Sequence, residues 1–362
     1  MTEIFICGGP GGVGKTTVSA ALSVGLALAG RRVVVLTIDP ARRLADALGL
    51  DALSNEPSPV PLEDAEGTLD AVMLDRKATW DGLVRRYAND PDHAAAVMEN
   101  RYYRAVSTRL TGSHEYMATE KLHELVESGR WDAVVVDTPP SQHAVEFFNA
   151  PSRMRRILDG KVFNVITSPG TGLLSGATRK IGKLILGLAG QNVVDDIREF
   201  FHLFRDMSDG MRDRNGAVQE LLRSPNTRLF VVTSANEPDR KDALEFLAEV
   251  RAQEMHFGGF IVNRVRGAGA LGEPLSAADM PERPAHVGHQ AWTDLVRGLL
   301  ELPGRADRSA DLHLRGLRQL QERTDAPIWA APEHIGCVRT LDGLMAIASA
   351  LPPASLPLAR IA

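Results

Sequence analysis

The stretch that decides the fold is "CGGPGGVGKTT", Cys7 to Thr17. Gly9, Gly14, Lys15 and Thr16 stand at the spacing G-x-x-x-x-G-K-[ST]. A glycine-rich turn of this kind lets backbone N–H groups converge on phosphate, and the positive end of the following helix adds to the attraction. In that reading Lys15 contacts the β- and γ-phosphates of a nucleotide, and the Thr16 hydroxyl is a ligand of Mg2+. The flanks agree. "EIFICGG" is a short apolar run leading into glycines, as a strand does before such a loop. Lys15 to Ala29 carries small and apolar residues at helical spacing until Gly30 stops it.

Further along, "RRVVVLTIDP", "WDAVVVDTPP" (Trp131 to Pro140) and "TRLFVVTSA" (Thr227 to Ala235) are apolar, β-branched runs. Strands covered on both faces read this way. "FGGFIVNRV" (Phe257 to Val265) and "APIWAAP" (Ala326 to Pro332) are shorter ones, and helical patterns lie between them. The alternation predicts an α/β fold of the P-loop NTPase kind, with a mostly parallel, doubly wound sheet and helices on both faces. Two regions interrupt it: Ala78 to Glu127 reads as several helices, and Ser141 to Arg223 holds no convincing strand. The expected organisation is a P-loop core from residues 1–150 and 224–352, a helical insertion at 151–223, and a tail at 353–362. Gly267 to Ala285 reads as a loop rich in Gly, Ala and Pro. There is one P-loop and no internal repeat.

Composition narrows the function. The 362 residues carry a net charge of -5 and a pI near 6.1, which speaks against general nucleic-acid binding. The two cysteines, Cys7 and Cys337, are far apart with no C-x-x-C, so there is neither a zinc signature nor a disulfide framework. No run reaches the roughly 18 apolar residues of a membrane span. "VSAALSVGLALAG" (Val18 to Gly30) imitates the apolar part of a signal peptide, but it follows the P-loop lysine and reads as a helix buried on the sheet. The expectation is a cytoplasmic protein with no permanent membrane anchor and no nucleic-acid partner.

A P-loop needs a carboxylate at the end of another strand to hold the magnesium shell. Asp137, after three valines in "VVVDTPP", supplies it. Asp39 in "TIDPARR" stands at the tip of the second strand, where open α/β sheets bind ligands in the crevice beyond the strand ends. It is the candidate for orienting the attacking water. For each aspartate the plainer alternative is a strand-end residue that only caps a turn.

Five segments now stand in one order: "GGPGGVGKTT", "TIDPARRLADALG", "GSHEYMATEKL", "VVVDTPPSQHAVEFF" and "IVNR". Together they resemble the ArsA-like ATPases, the family of the arsenite-pump ATPase and of the eukaryotic Get-type ATPase that guides tail-anchored membrane proteins. The resemblance covers most of the chain and is weakest from about Arg153 to Arg223. It implies an ATPase, with ATP and Mg2+ as its ligands and a bacterial member as the source. Gly11, Gly12, Val13, Gly14, Lys15, Thr16 and Thr17 would form the P-loop. Asp39 in the first switch would orient the attacking water, with Lys15 as its catalytic partner on the phosphates. Asp137 would serve magnesium with Thr16, partly through water. Thr138 to His143 would be the second switch. Asn263 would hydrogen-bond adenine, and the segment around Pro332 would cover the base. Glu237, in "SANEPD", matches a family glutamate near the dimer interface.

Three departures qualify the resemblance. Pro10 stands where many relatives carry a lysine that reaches the partner's nucleotide. The C-x-x-C that clamps zinc between subunits in the eukaryotic factors is absent, and so are the cysteines that gather arsenite in the pump.

Between these segments, Ile181, Leu184, Ile185 and Leu188, then Ile197, Phe200, Phe201, Phe204, Met207 and Met211, recur at helical spacing. They either pack on the core or expose a groove for an apolar client segment. The function expected is a dimeric Mg-ATP-hydrolysing switch that couples nucleotide state to holding or delivering such a client. Its partner would be a second copy or a related ATPase chain. The alternative is a weakly hydrolysing, nucleotide-binding regulatory subunit of a heterodimer, with a metalloid-pump ATPase further behind.

Overall fold

The computed structural model describes residues 2–63, 65–109, 113–139, 141–159, 191–266, 283–284, 288–324, 326–333 and 340–352. Among the described residues eight strands form one sheet in the order β3-β4-β2-β5-β1-β6-β7-β8. They are β1 (Glu3–Gly8), β2 (Arg32–Thr37), β3 (Ser58–Val60), β4 (Thr68–Met73), β5 (Ala133–Asp137), β6 (Thr227–Ser234), β7 (Phe257–Val265) and β8 (Ile328–Pro332). All neighbours run parallel except β3, which is antiparallel to β4 at one edge.

The predicted α/β class with a mostly parallel sheet is what the molecule has. The valine-rich runs became the central strands because both their faces are buried. Ile4 and Ile6 of β1 belong to one hydrophobic layer with Val134 and Val136 of β5. Phe5 and Cys7 belong to the opposite layer with Ala133 and Val135 of β5 and with Val33 and Val35 of β2. Strands β3 and β4 lie in the stretch from 51 to 77 that the sequence reading left without elements. β4 reads TLDAVM, and its Asp70 breaks the apolar run. That carboxylate accepts a hydrogen bond from the Trp131 indole at 2.8 Å, a partner 61 residues away.

On the helical side, α1 (Lys15–Leu28) is buried along most of its length and packs on α2 (Arg43–Leu48). The region from 78 to 127 resolves into α3 (Arg76–Tyr87), α4 (Pro91–Glu99), α5 (Arg101–Arg109) and α6 (Ser113–Glu127). Asp75 and Asp90 cap α3 and α4 by accepting from the N–H groups of Ala78 and His93. Next come α7 (Ser141–Leu158) and α8 (Gln191–Arg223), then α9 (Glu237–Ala252), α10 (His289–Arg323) and α11 (Leu341–Ala348).

The proposed boundary at residue 151 falls inside α7, which runs through Pro151. The Asn215 side-chain amide of α8 donates to the Pro151 carbonyl at 2.8 Å. α8 packs on α7 and on α3 to α6. Met207 and Met211 are each only 1% exposed, within the layer that holds Trp80 and Tyr116. Those two methionines are therefore core, not groove. Ile181, Leu184, Ile185 and Leu188 lie outside the described residues, as do the side chains of Ile197, Phe200, Phe201 and Phe204. The loop at 267–282, Cys337 and the tail at 353–362 are also outside them.

Candidate nucleotide site

The site is assembled by strand order. β5 lies between β1 and β2, so the ends of these three strands are adjacent. Asp137, the last residue of β5, is in register with Cys7 of β1 on one side and Thr37 of β2 on the other. The loop after β1 carries the P-loop and the turn after β2 carries Asp39. The P-loop and the Asp39 turn therefore follow the two strands that flank Asp137.

The loop glycines are there for reasons of space and backbone. Gly9 has φ +142°, and a Cβ on it would sit 2.1 Å from the Val232 carbonyl oxygen. Gly14 has φ +93° and caps α1, and a Cβ there would sit 2.4 Å from the Asn263 amide nitrogen. No L-side chain fits either position. Gly11 and Gly12 form the exposed tip of the loop, whereas Val13 is buried under it. Lys15 is buried, and its ammonium donates to the carbonyls of Gly9 at 3.1 Å and Pro10 at 2.8 Å. Burial pushes its pKa down, and the negative charge of Asp137 pulls it back up. Thr16 and Thr17 follow in the first turn of α1, both half-buried.

Asp137 is 1% exposed. Burial lifts its carboxyl to a pKa of about 6, against the pull of hydrogen bonds from Thr16 and Thr37 and of the Lys15 charge. Thr37 Oγ1 donates to Oδ2 at 3.1 Å, while Oδ1 accepts no hydrogen bond among the described residues. A buried carboxylate oxygen with an open lone pair, beside a threonine hydroxyl, is a hard donor set that suits Mg2+. Thr16 and Asp137 are the residues that would hold the ion. It would neutralise phosphate charge.

Asp39 is half-buried. Its Oδ1 accepts from the Ala41 N–H at 3.0 Å, and its Oδ2 pairs with Arg43 at 3.3 Å. Both partners are local, so the turn-capping geometry is present, and the carboxylate stays partly exposed. Arg42 donates to the Asp51 carbonyl. The turn is held from behind as well. The Ile38 N–H donates to the Asp137 carbonyl at 3.2 Å. The Ile38 carbonyl accepts from His114 Nε2 at 2.9 Å. Thr138 is tied to β1 through its N–H and its hydroxyl, both donating to the Cys7 carbonyl. The rest of the expected second switch, from Pro140 to the His143 side chain, lies outside the described residues.

Asn263 meets the P-loop from the other side. Its amide donates to the Val13 carbonyl at 2.9 Å, and its own oxygen accepts from the Arg264 N–H. Pro332 ends β8 in register with Val265 and is exposed. Glu237 opens α9 and lines a cavity of about 300 Å3 with Arg240 and Arg323. Two residues that sequence reasoning left without a role prove central to the geometry. They are Thr37, hidden in an apolar strand, and His114, part of a quoted segment whose contact only the fold reveals.

A phosphate-binding loop on β1–α1, with a buried carboxylate one strand away, places the molecule among the P-loop nucleotide hydrolases. The model of the anion-transporting ATPase family matches residues 2–267, and the chain belongs to that family and is an ATPase. It is 25% identical over 265 residues to the ATPase get3 of Schizosaccharomyces japonicus, covering 72% of this chain and 74% of that one. It is 27% identical over 215 residues to the ATPase GET3 of Pyricularia oryzae, covering 59% and 61%. Over 162 residues it is 32% identical to the ATPase ASNA1 homolog of Babesia bovis, covering 43% and 40%. No described helix is long and apolar enough to cross a membrane.

Proposed function

We propose that the chain is a cytoplasmic, dimeric Mg-ATP-hydrolysing switch whose nucleotide state governs the holding or delivery of an apolar protein segment. One observation carries the nucleotide half: the buried Lys15 and Asp137 and the half-buried Thr16 interact at adjacent strand ends. In this reading the backbone of Gly11 to Thr17 wraps the phosphates and the Lys15 ammonium turns from its two loop carbonyls to the β- and γ-oxygens. Thr16 and Asp137 hold Mg2+. Asp39 orients the water that attacks the γ-phosphorus in line, and ADP leaves with its charge met by Lys15. Asn263 would hydrogen-bond adenine, and the segment around Pro332 would cover the base.

The client half rests on membership of the family and on relatives named get3. The candidate client stripe runs from Ile181 to Met211, and its Met207 and Met211 are buried in the core. Dimerisation with a related, lysine-bearing chain is favoured by Pro10, which brings no charge to a partner's phosphates. The deciding experiment is to purify the full chain and its Asp39→Asn form with Mg-ATP. Turnover should be present in the first and absent in the second, with an apolar client retained by the blocked form. Equal turnover in both overturns the role of Asp39. No client on the blocked form overturns the delivery reading.

A further inference from the structure

The peptide ahead of Asp39 is gripped from two elements at once. Ile38 is buried, and its N–H is bound to β5 through the Asp137 carbonyl. Its carbonyl is bound to α6 through His114. An acceptor carbonyl requires a donor, so Nε2 carries a proton in this contact. His114 stands in the first turn of α6, whose middle is clamped in the core by Met117, Ala118 and Leu122.

The middle and the far end of α6 are also clamped by charge. Glu120 Oε2 accepts from Arg214 Nε of α8 at 2.5 Å. Glu127 accepts from Arg214 at 3.0 Å and from Arg86 of α3 at 2.6 Å. The Glu120 and Arg214 side chains are only 1% and 5% exposed. Separating such a pair strands a buried charge, so α6 and α8 do not slide past each other freely. From His114 to Glu127 the helix rises about 20 Å, and it is a rigid element held at both ends.

We propose that His114 is a positioning residue for Asp39, acting through the Ile38 carbonyl, and that α6 makes this turn answer to the Arg214–Glu120 lock on α8. The second element belongs to the insertion given the client role. A shift of α8 therefore reaches the water-orienting carboxylate through one helix and one hydrogen bond. This positioning role rests on the reading of Asp39 given above.

The test uses the full chain with Mg-ATP and three variants. In His114→Ala the Ile38 carbonyl loses its donor, and kcat should fall roughly tenfold while KM for ATP stays within about twofold, because substrate contacts are untouched. His114→Gln supplies an amide donor and should recover most of that loss. Hydrogen exchange of the peptide spanning 36–42, measured without nucleotide, should rise in His114→Ala and return towards wild type in His114→Gln. The double change Glu120→Met and Arg214→Met removes both charges at near-constant volume, so folding is preserved. It should raise exchange in the same peptide, and adding His114→Ala to it should change kcat little further, as members of one chain of contacts do. Equal activity in Ala and Gln variants, unchanged exchange at 36–42, or kcat effects that simply multiply would overturn the proposal. Because the exchange readout needs no nucleotide, a failure of Asp39→Asn to slow turnover overturns the catalytic reading and is told apart from a failure at His114.

Discussion

Thr37 Oγ1 donates to Asp137 Oδ2 across 3.1 Å, from the last residue of one strand to the last residue of its neighbour. The hydroxyl is the reason an aspartate can end a strand of valines. It satisfies one carboxylate oxygen, while the other accepts no hydrogen bond among the described residues. Thr37→Val keeps the shape and removes the donor. The buried Oδ2 then lacks this partner, at a cost of about 1–3 kcal/mol. The expected outcome is a lower urea midpoint together with a weaker dependence of turnover on Mg2+, by roughly tenfold in apparent affinity. A variant with wild-type values in both measurements would show that Thr37 is ordinary packing.

Lys15 is the charge nearest the expected phosphates. Lys15→Ala removes a charge-assisted bond worth a few kcal/mol, so calorimetry should find ATP binding weaker by roughly 10²-fold or more. The fold should survive, since the ammonium's present partners are two loop carbonyls that the tip of the loop can hydrate. Equal affinity in the variant means the site is misassigned.

Asp39→Asn keeps the Ala41 contact and discards the charge that pairs with Arg43. Turnover should fall by roughly 10² or more, the scale of a lost positioned base, with ATP affinity retained. Single-turnover kinetics separates this from slow product release.

The lock on α6 predicts an acid response. Hydrogen bonds from Arg86 and then Arg214 lower the Glu127 carboxyl to a pKa of about 2, from an ordinary 4.5. The unfolded chain therefore binds more protons than the native one in that window. The stabilisation is complete above about pH 4.5 and is lost as pH falls through about 2. Glu120, raised by burial, works in the opposite sense, so the effect is read by difference. The drop in urea midpoint from pH 7 to pH 3 should be smaller in Glu127→Gln than in the wild type.

Pro10 gives the last prediction. It is buried, and its carbonyl accepts from Lys15. The two nearby arginines are engaged within the chain, Arg42 with the Asp51 carbonyl and Arg43 with Asp39. Pro10→Lys should therefore raise the turnover of a homodimer, because a new cation can reach the partner's phosphates, and a lysine-bearing related chain should activate the wild type. If neither raises the rate while Arg42→Ala abolishes it, the charge comes from the first switch.

Much of this is legible in the residues alone. The P-loop spacing, the valine runs and the two strand-end aspartates are local signals, because burial on both faces of a parallel strand and a glycine-only turn each demand particular residue types within a few positions. β3 and β4 were not legible. β3 is a three-residue edge strand, and β4 beside it carries an Asp whose indole partner lies 61 residues away. The methionines of α8 were legible as an apolar stripe but not as core, since periodicity gives a face and not what covers it.

The sequence by itself determined the class of fold and the glycine-rich loop between β1 and α1, because each is written in adjacent residues. Only the tertiary structure decided that Thr37 and Cys7 flank Asp137, that Asn263 braces the Val13 carbonyl, and that His114 holds the peptide before Asp39. These contacts join residues 76 to 250 positions apart. Thr37 and Cys7 flank Asp137 because the strand order inserts β5 between β1 and β2, a choice made by the packing of whole layers and not by any local stretch of chain.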